Sequence, residues 1–129
     1  MRVKNIFKNL KCCRNNERDI NINELMYIIS TNPNSILLDV RSPQEFKEGH
    51  LNGAINVPLY ELETCYNLNE KDKIIIVYCQ SGIRSKKAIK ILNRNGFKNL
   101  YHLRDGLDGI WKSFDINLPN YYIWIHEFI

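Results

Sequence analysis

No run of eighteen or so apolar residues occurs in this 129-residue sequence, and a helix needs about that many to cross a bilayer. A membrane-spanning helix is therefore excluded on length. The four cysteines give no disulfide or metal pattern: Cys12 and Cys13 are adjacent, Cys65 and Cys79 stand apart, and none makes the Cys-x-x-Cys spacing of zinc and redox sites. No metal or other cofactor is implied. Charge of one sign is also scarce, with 18 Lys and Arg against 14 Asp and Glu for a formal net charge of +4. No basic face interleaved with base-stacking aromatics emerges, so a nucleic-acid partner is not expected. What remains is 44% hydrophobic, enough to bury the core of one ordinary domain.

The most informative stretch is Cys79-Gln80-Ser81-Gly82-Ile83-Arg84-Ser85. Before it, Lys73 to Tyr78 is a β-branched run without alternation, as in a strand buried on both faces of a parallel sheet. After it, Ala88, Ile89, Ile91 and Leu92 recur at helical spacing beside Lys86, Lys87, Lys90 and Arg94, and Asn95-Gly96 supplies a stop. Cys79 thus stands at a strand-to-helix turn, where unpartnered N–H groups and the helix dipole favour an anion. A thiolate there, beside a guanidinium and a lysine pair, is expected to titrate below the roughly 8.5 of free cysteine. Gly82 permits positive φ, so that successive N–H groups can turn toward the sulfur. The plain alternative is a small buried residue at a strand end, the common fate of a free cysteine.

The rest of the chain reads as an α/β alternation. Asn21 or Asn23 caps a helix through Leu25, Met26, Ile28 and Ile29 that stops at Asn32-Pro33. Ser35 to Val40 is a second buried strand, and Pro43 to Lys47 a short helix with proline in its first turn and Gly49 past its end. Ala54 to Val57 reads as a strand, Leu59 to Leu62 as a helical turn and Lys98 to Leu103 as a last strand. Strands separated by helices imply right-handed crossovers and a mostly parallel central sheet with helices on both faces. Ligands of such sheets sit beyond the carboxyl ends of the strands, where Cys79 falls.

At this point the residues resemble a known family. Cys79 to Ser85 is similar to the Cys-x-x-Gly-x-Arg-Ser/Thr loop of single-domain rhodaneses, the thiosulfate sulfurtransferases. Leu37 to Phe46 resembles the family's first motif, and Gly49 to Pro58 follows it closely. Asp105-Gly106-Leu107-Asp108-Gly109-Ile110-Trp111 resembles the closing Gly-Gly-x-x-x-Trp segment, with Asp105 in place of the first glycine. The resemblance covers roughly residues 19 to 114, the presumed domain, and implies a rhodanese-like fold. It also implies a function: Cys79 takes sulfane sulfur from a donor such as thiosulfate, forms a persulfide, and passes the sulfur to cyanide, a thiol or a protein acceptor. Cell-cycle phosphatases and arsenate reductases share the fold with one residue more between cysteine and arginine. The four here, Gln80, Ser81, Gly82 and Ile83, point to a cradle for a single sulfur. A small phosphatase or arsenate reductase stays as the rival enzyme, and a sulfur-carrier or partner-binding module without turnover as the rival of another class.

Around the nucleophile, Gln80 to Ser85 are expected to bind substrate. Arg84 either anchors the loop on backbone carbonyls or, the favoured weighting, faces the substrate anion. Asp39, Arg41 and Glu45 are read as supporting, with Arg41 and Glu45 four apart at a helix entry and able to pair. His50 is tempting as a base, but it follows a helix-ending glycine and in the resembled family it packs and hydrogen-bonds. The cations near the loop suit an anionic donor, or simply form a solvated helix face. A reactive thiol fits a reducing cytoplasm.

Two segments lie outside the resemblance. In residues 1–18, Val3, Ile6, Phe7 and Leu10 share a helical face among cations. This basic leader is read as disordered or loosely docked in preference to a membrane-surface helix. Residues 115–129 carry Tyr121, Tyr122, Ile123, Trp124, Ile125, Phe128 and Ile129, a costly set to leave in water. This tail is expected to pack on the domain or on a second copy, as a homodimer.

Overall fold

The computed structural model describes residues 17–64 and 71–114. The basic leader with Cys12 and Cys13, Cys65, and the aromatic tail expected to pack on the domain or a second copy lie outside the described residues. Among the described residues ten elements alternate: β1 (Glu17–Ile20), α1 (Ile22–Thr31), β2 (Ile36–Asp39), α2 (Pro43–Glu48), β3 (Ile55–Asn56), α3 (Leu59–Leu62), β4 (Ile74–Tyr78), α4 (Ile83–Arg94), β5 (Asn99–Leu103) and α5 (Gly106–Phe114). The five strands form one sheet in the order β1-β5-β4-β2-β3, and every neighbouring pair is parallel. This is the α/β architecture expected, with the sheet wholly parallel.

Burial explains the strand composition. Ile75, Ile76, Val77 and Tyr78 of β4 are each fully buried, because successive side chains leave opposite faces of a sheet covered on both sides. Ile75 and Val77 join Ala88, Ile89 and Leu92 of α4 and Leu62 of α3. Ile76 and Tyr78 join Ile22 and Leu25 of α1 and Leu107 and Ile110 of α5. Asn21 caps α1 in a reciprocal box: its side chain accepts from Glu24 N–H at 2.9 Å, and Glu24 accepts from Asn21 N–H at 2.9 Å.

Two elements were not read from the sequence. β1 starts at Glu17 and holds one apolar residue among charges, which its place at the sheet edge tolerates. The other is the helix α5, which carries Gly106 and Gly109, both poor helix formers. Among the described residues no helix is long and apolar enough to cross a membrane.

Candidate active site

Parallel pairing brings the carboxyl ends of all five strands to one edge. The register aligns Asp39 of β2 with Tyr78 of β4 and with Asn56 of β3, and His102 of β5 with Asp19 of β1 and Val77 of β4. Cys79 follows β4 directly, at the centre of that edge, and is 1% exposed. Its sulfur receives two backbone donors, Gly82 N–H at 3.1 Å and Ser85 N–H at 3.3 Å. The Ser85 hydroxyl lies 3.3 Å away. Ser85 N–H is one of the orphan donors of the first turn of α4, so the helix start does face the sulfur.

Glycine is required at two places in this construction. Gly82 caps α4 with φ of 101°, and a Cβ there would collide with the Arg104 carbonyl oxygen. Gly106 opens α5 with φ of 63°, and a Cβ would collide with the Gln80 carbonyl and stand 2.6 Å from the Cys79 carbonyl oxygen. That crowding is purposeful. Leu107 N–H donates to Cys79 O at 3.1 Å and Asp108 N–H to Gln80 O at 3.0 Å, so the start of α5 holds the reactive loop by its backbone.

The two supporting charges pair differently from the expectation. Arg41 does not pair with Glu45; it turns back onto Asp39, donating from Nε at 3.0 Å and Nη2 at 2.7 Å, with the carboxylate fully buried. A buried carboxylate must be matched by a charge and by hydrogen bonds, and the adjacent guanidinium does both. The same Nη2 donates to Gly49 O at 2.6 Å, tying the loop after β2 to the end of α2. Burial, then the Asp39 carboxylate, pushes the Tyr78 phenol well above its ordinary range. It stays neutral and accepts from Leu51 N–H at 3.1 Å.

Glu45 instead meets Arg84 across 39 residues of sequence, Nη1 to Oε1 at 2.7 Å and Nη2 to Oε2 at 3.0 Å. The fork of Arg84 is therefore filled by a carboxylate and not by backbone carbonyls. The Arg84 bonds, together with those from Ser42, hold the Glu45 carboxyl down from 4.5 to about 2. Gln80 is bound inward, accepting from Arg41 Nη1 at 3.4 Å and donating to Asp108 Oδ1 at 2.7 Å. Ser81 and Ile83 are exposed, and Ser81 lines a hollow of about 440 Å³ with Asp105, Asp108, Gly109 and Lys112. His50 bonds Phe46 O through Nδ1 at 2.8 Å and stacks on the Phe46 ring at 3.7 Å, in a packing role. Lys86, Lys87 and Lys90 are all exposed along α4.

Sequence reasoning missed Asp108, His102 and Asp19. His102 carried a usable signal: a histidine between Leu100 and Leu103 in a strand is buried and must find partners. It finds Ser85 Oγ at 2.6 Å through Nε2 and Asp19 Oδ1 at 3.1 Å through Nδ1.

A family model for the rhodanese-like domain matches residues 22–113. The chain belongs to the rhodanese-like family. This rhodanese-like chain is 43% identical over 70 residues to the uncharacterized protein YqhL of Bacillus subtilis, covering 54% of this chain and 56% of that one. It is 40% identical over 82 residues to the tRNA uridine(34) hydroxylase of Buchnera aphidicola, covering 59% of this chain and 26% of that one. It thus spans about half the length of the first relative and a quarter of the second. The human single-domain sulfurtransferase TSTD1 shares the fold at a TM-score of 0.68 and 20% identity, covering 74% of this chain and 96% of that one. A rhodanese-related protein of Thermoplasma volcanium superposes at 0.62 with 31% identity, covering 79% and 95%.

Proposed function

We propose that this rhodanese-like chain is a cytoplasmic sulfurtransferase working through a Cys79 persulfide. The observation that carries the reading is the pair of backbone N–H groups, from Gly82 and Ser85, directed onto the Cys79 sulfur. Fixed donors of this kind stabilise negative charge on sulfur at no cost of reorganisation. In the first half-reaction the thiolate attacks the sulfane sulfur of thiosulfate, the sulfur–sulfur bond breaks, and sulfite leaves with the bonding pair. In the second, cyanide, a thiolate or a protein acceptor attacks the outer sulfur, and Cys79 is released as the thiolate. The hollow beside Ser81 offers room for an acceptor.

The fold shared with a single-domain sulfurtransferase supports this reading. Against a phosphatase or arsenate reductase stands the four-residue spacing, together with an arginine fork already filled by Glu45. The hydroxylase named among the relatives is about four times the matched length, and its activity is not carried over to this chain.

Intact mass after thiosulfate treatment provides the test. It is expected to rise by one sulfur atom in the wild type and in Cys65→Ser, and not in Cys79→Ser, with cyanide removing the added sulfur as thiocyanate over many turnovers. Sulfur retained by Cys79→Ser overturns the nucleophile. A single loading without turnover on any acceptor favours the carrier module instead.

A further inference from the structure

Behind the reactive loop, an unbroken line of polar groups leads from the sulfur to the sheet edge. Cys79 Sγ is 3.3 Å from Ser85 Oγ, Ser85 Oγ is 2.6 Å from His102 Nε2, and His102 Nδ1 is 3.1 Å from Asp19 Oδ1. Cys79, Ser85 and His102 are 1%, 0% and 6% exposed, whereas the Asp19 side chain is 57% exposed. Three buried polar groups thus end on a carboxylate that solvent reaches.

The hydrogen-bonding capacities of these groups fix the direction of the line. An ionised carboxylate only accepts, so His102 presents Nδ1–H to Asp19, and neutral imidazole then leaves Nε2 as an acceptor. Ser85 has one proton, and Nε2 is the nearer of its two acceptors, the Gly82 carbonyl oxygen lying at 3.2 Å. With that proton on Nε2, the hydroxyl oxygen is free to accept from the Cys79 thiol. Every bond in the resting thiol form then points from sulfur toward carboxylate.

We propose that His102, oriented by Asp19, stores the Cys79 thiol proton by way of Ser85. The S–H bond breaks as a new O–H bond forms on Ser85, and the original Ser85 O–H bond breaks as N–H forms on Nε2. A neutral thiol and a neutral imidazole become a thiolate and an imidazolium, with no atom or charge gained or lost. The thiolate then receives Gly82 N–H, Ser85 N–H and the Ser85 hydroxyl, while the imidazolium lies between Ser85 and the Asp19 carboxylate. His102 does not touch the sulfur, so it is a positioning residue that acts through Ser85.

The other charges around His102 are compatible with this. β1 presents Asp19, β4 presents Val77 in register, and α4 presents Ser85. Past the end of β5, the Asp105 carboxyl senses His102, and Arg104 pairs with Asp105 at 3.2 Å while sensing Asp19. Cys79 is linked to the imidazole through the Ser85 hydroxyl.

The inference rests on Cys79 being the nucleophile of the proposed function, yet its test requires no sulfur transfer. The alkylation rate of Cys79 with iodoacetamide is followed from pH 5 to 10 by peptide mapping, which keeps Cys12, Cys13 and Cys65 out of the count. His102→Gln retains an amide that can bond Ser85 but cannot take up a proton. The rate near pH 7 is expected to fall about tenfold or more, the effect of a one-unit displacement of the profile, and to recover at high pH. A folded His102→Gln protein with the wild-type profile overturns the proposal.

A second measurement leaves the fold unaltered. Coupled sites shift one another reciprocally, so converting Cys79 to its thioether should lower the pH at which the His102 ring nitrogens, followed by 15N chemical shift, gain the second proton. An unchanged His102 titration also overturns the proposal. A protein that shows the coupling but takes no sulfur from thiosulfate refutes the sulfurtransferase reading alone, and one that loads sulfur without coupling refutes this inference alone.

Discussion

At the scale of single residues, chemistry was more legible than partnership. Cys79, Gly82 and Ser85 could be placed from their spacing, because a strand-to-helix turn leaves few ways to arrange seven residues. The pairing of Arg41 with Glu45 could not. Four positions apart suggests a helical pair, but Arg41 precedes α2 and is claimed by the buried Asp39 two residues away, while Glu45 sits in a capping box with Ser42 and reaches Arg84. Only the tertiary fold decides between a near and a distant partner. The Glu45–Arg84 pair has a consequence in acid. Its folded carboxyl is held at about 2 against 4.5 unperturbed, first by the Arg84 bond. A depressed acid contributes stability that is present above its unfolded value and lost as pH falls through the folded one. The urea midpoint of the wild type should therefore exceed that of Glu45→Gln above about pH 4.5, and the gap should close by about pH 2. Glu45 and Arg84 are 32% and 37% exposed, so solvent screening keeps the gap well below the full linkage value. A gap that persists unchanged at pH 2 would show the carboxylate's charge to be irrelevant to stability.

At the scale of elements, the strongly periodic segments were readable and the mixed ones were not. β2, β4 and α4 carry long apolar signals with clear stops, and the boundaries found differ by a residue or so from those read, apart from the first turn of α4. β1 has the composition of a loop, since an edge strand with one buried residue needs no alternation. The start of α5 is spent on holding Cys79 and Gln80 by their carbonyls, which is why it opens on a glycine that propensity would reject. The active-site loop is thus clamped at both ends by helix starts, and its length is set by that clamp. Inserting one glycine between Gly82 and Ile83 should detach Ser85 N–H from the sulfur while leaving Gly82 against Arg104. Sulfur transfer is expected to fall by about a hundredfold or more, the scale of losing one fixed donor. Neither this variant nor the wild type should hydrolyse an aryl phosphate usefully if the Arg84 fork remains filled. A wild type that proves the better phosphatase would overturn the proposed reaction class.

For the whole molecule, the sequence carries the amount of charge but not its arrangement. The net charge of +4 suggests attraction for a dianionic donor, yet the site's own arginines are both neutralised, Arg41 by Asp39 and Arg84 by Glu45. Asp105 and Asp108 line the neighbouring hollow with Lys112, and Asp105 is itself paired with Arg104. Among the described residues, the exposed lysines of α4 can supply such steering, acting through solvent and at a distance. Such a field is sensitive to salt, because the screening length falls from about 30 Å at 0.01 M to about 8 Å at 0.15 M. Over that range kcat/KM for thiosulfate should decline several-fold, while the alkylation of Cys79 by uncharged iodoacetamide stays level. Lys86→Gln with Lys87→Gln should flatten the thiosulfate dependence without moving the alkylation rate. If the thiosulfate dependence is already flat in the wild type, the lysines are a solvated helix face, and the donor reaches Cys79 without electrostatic help.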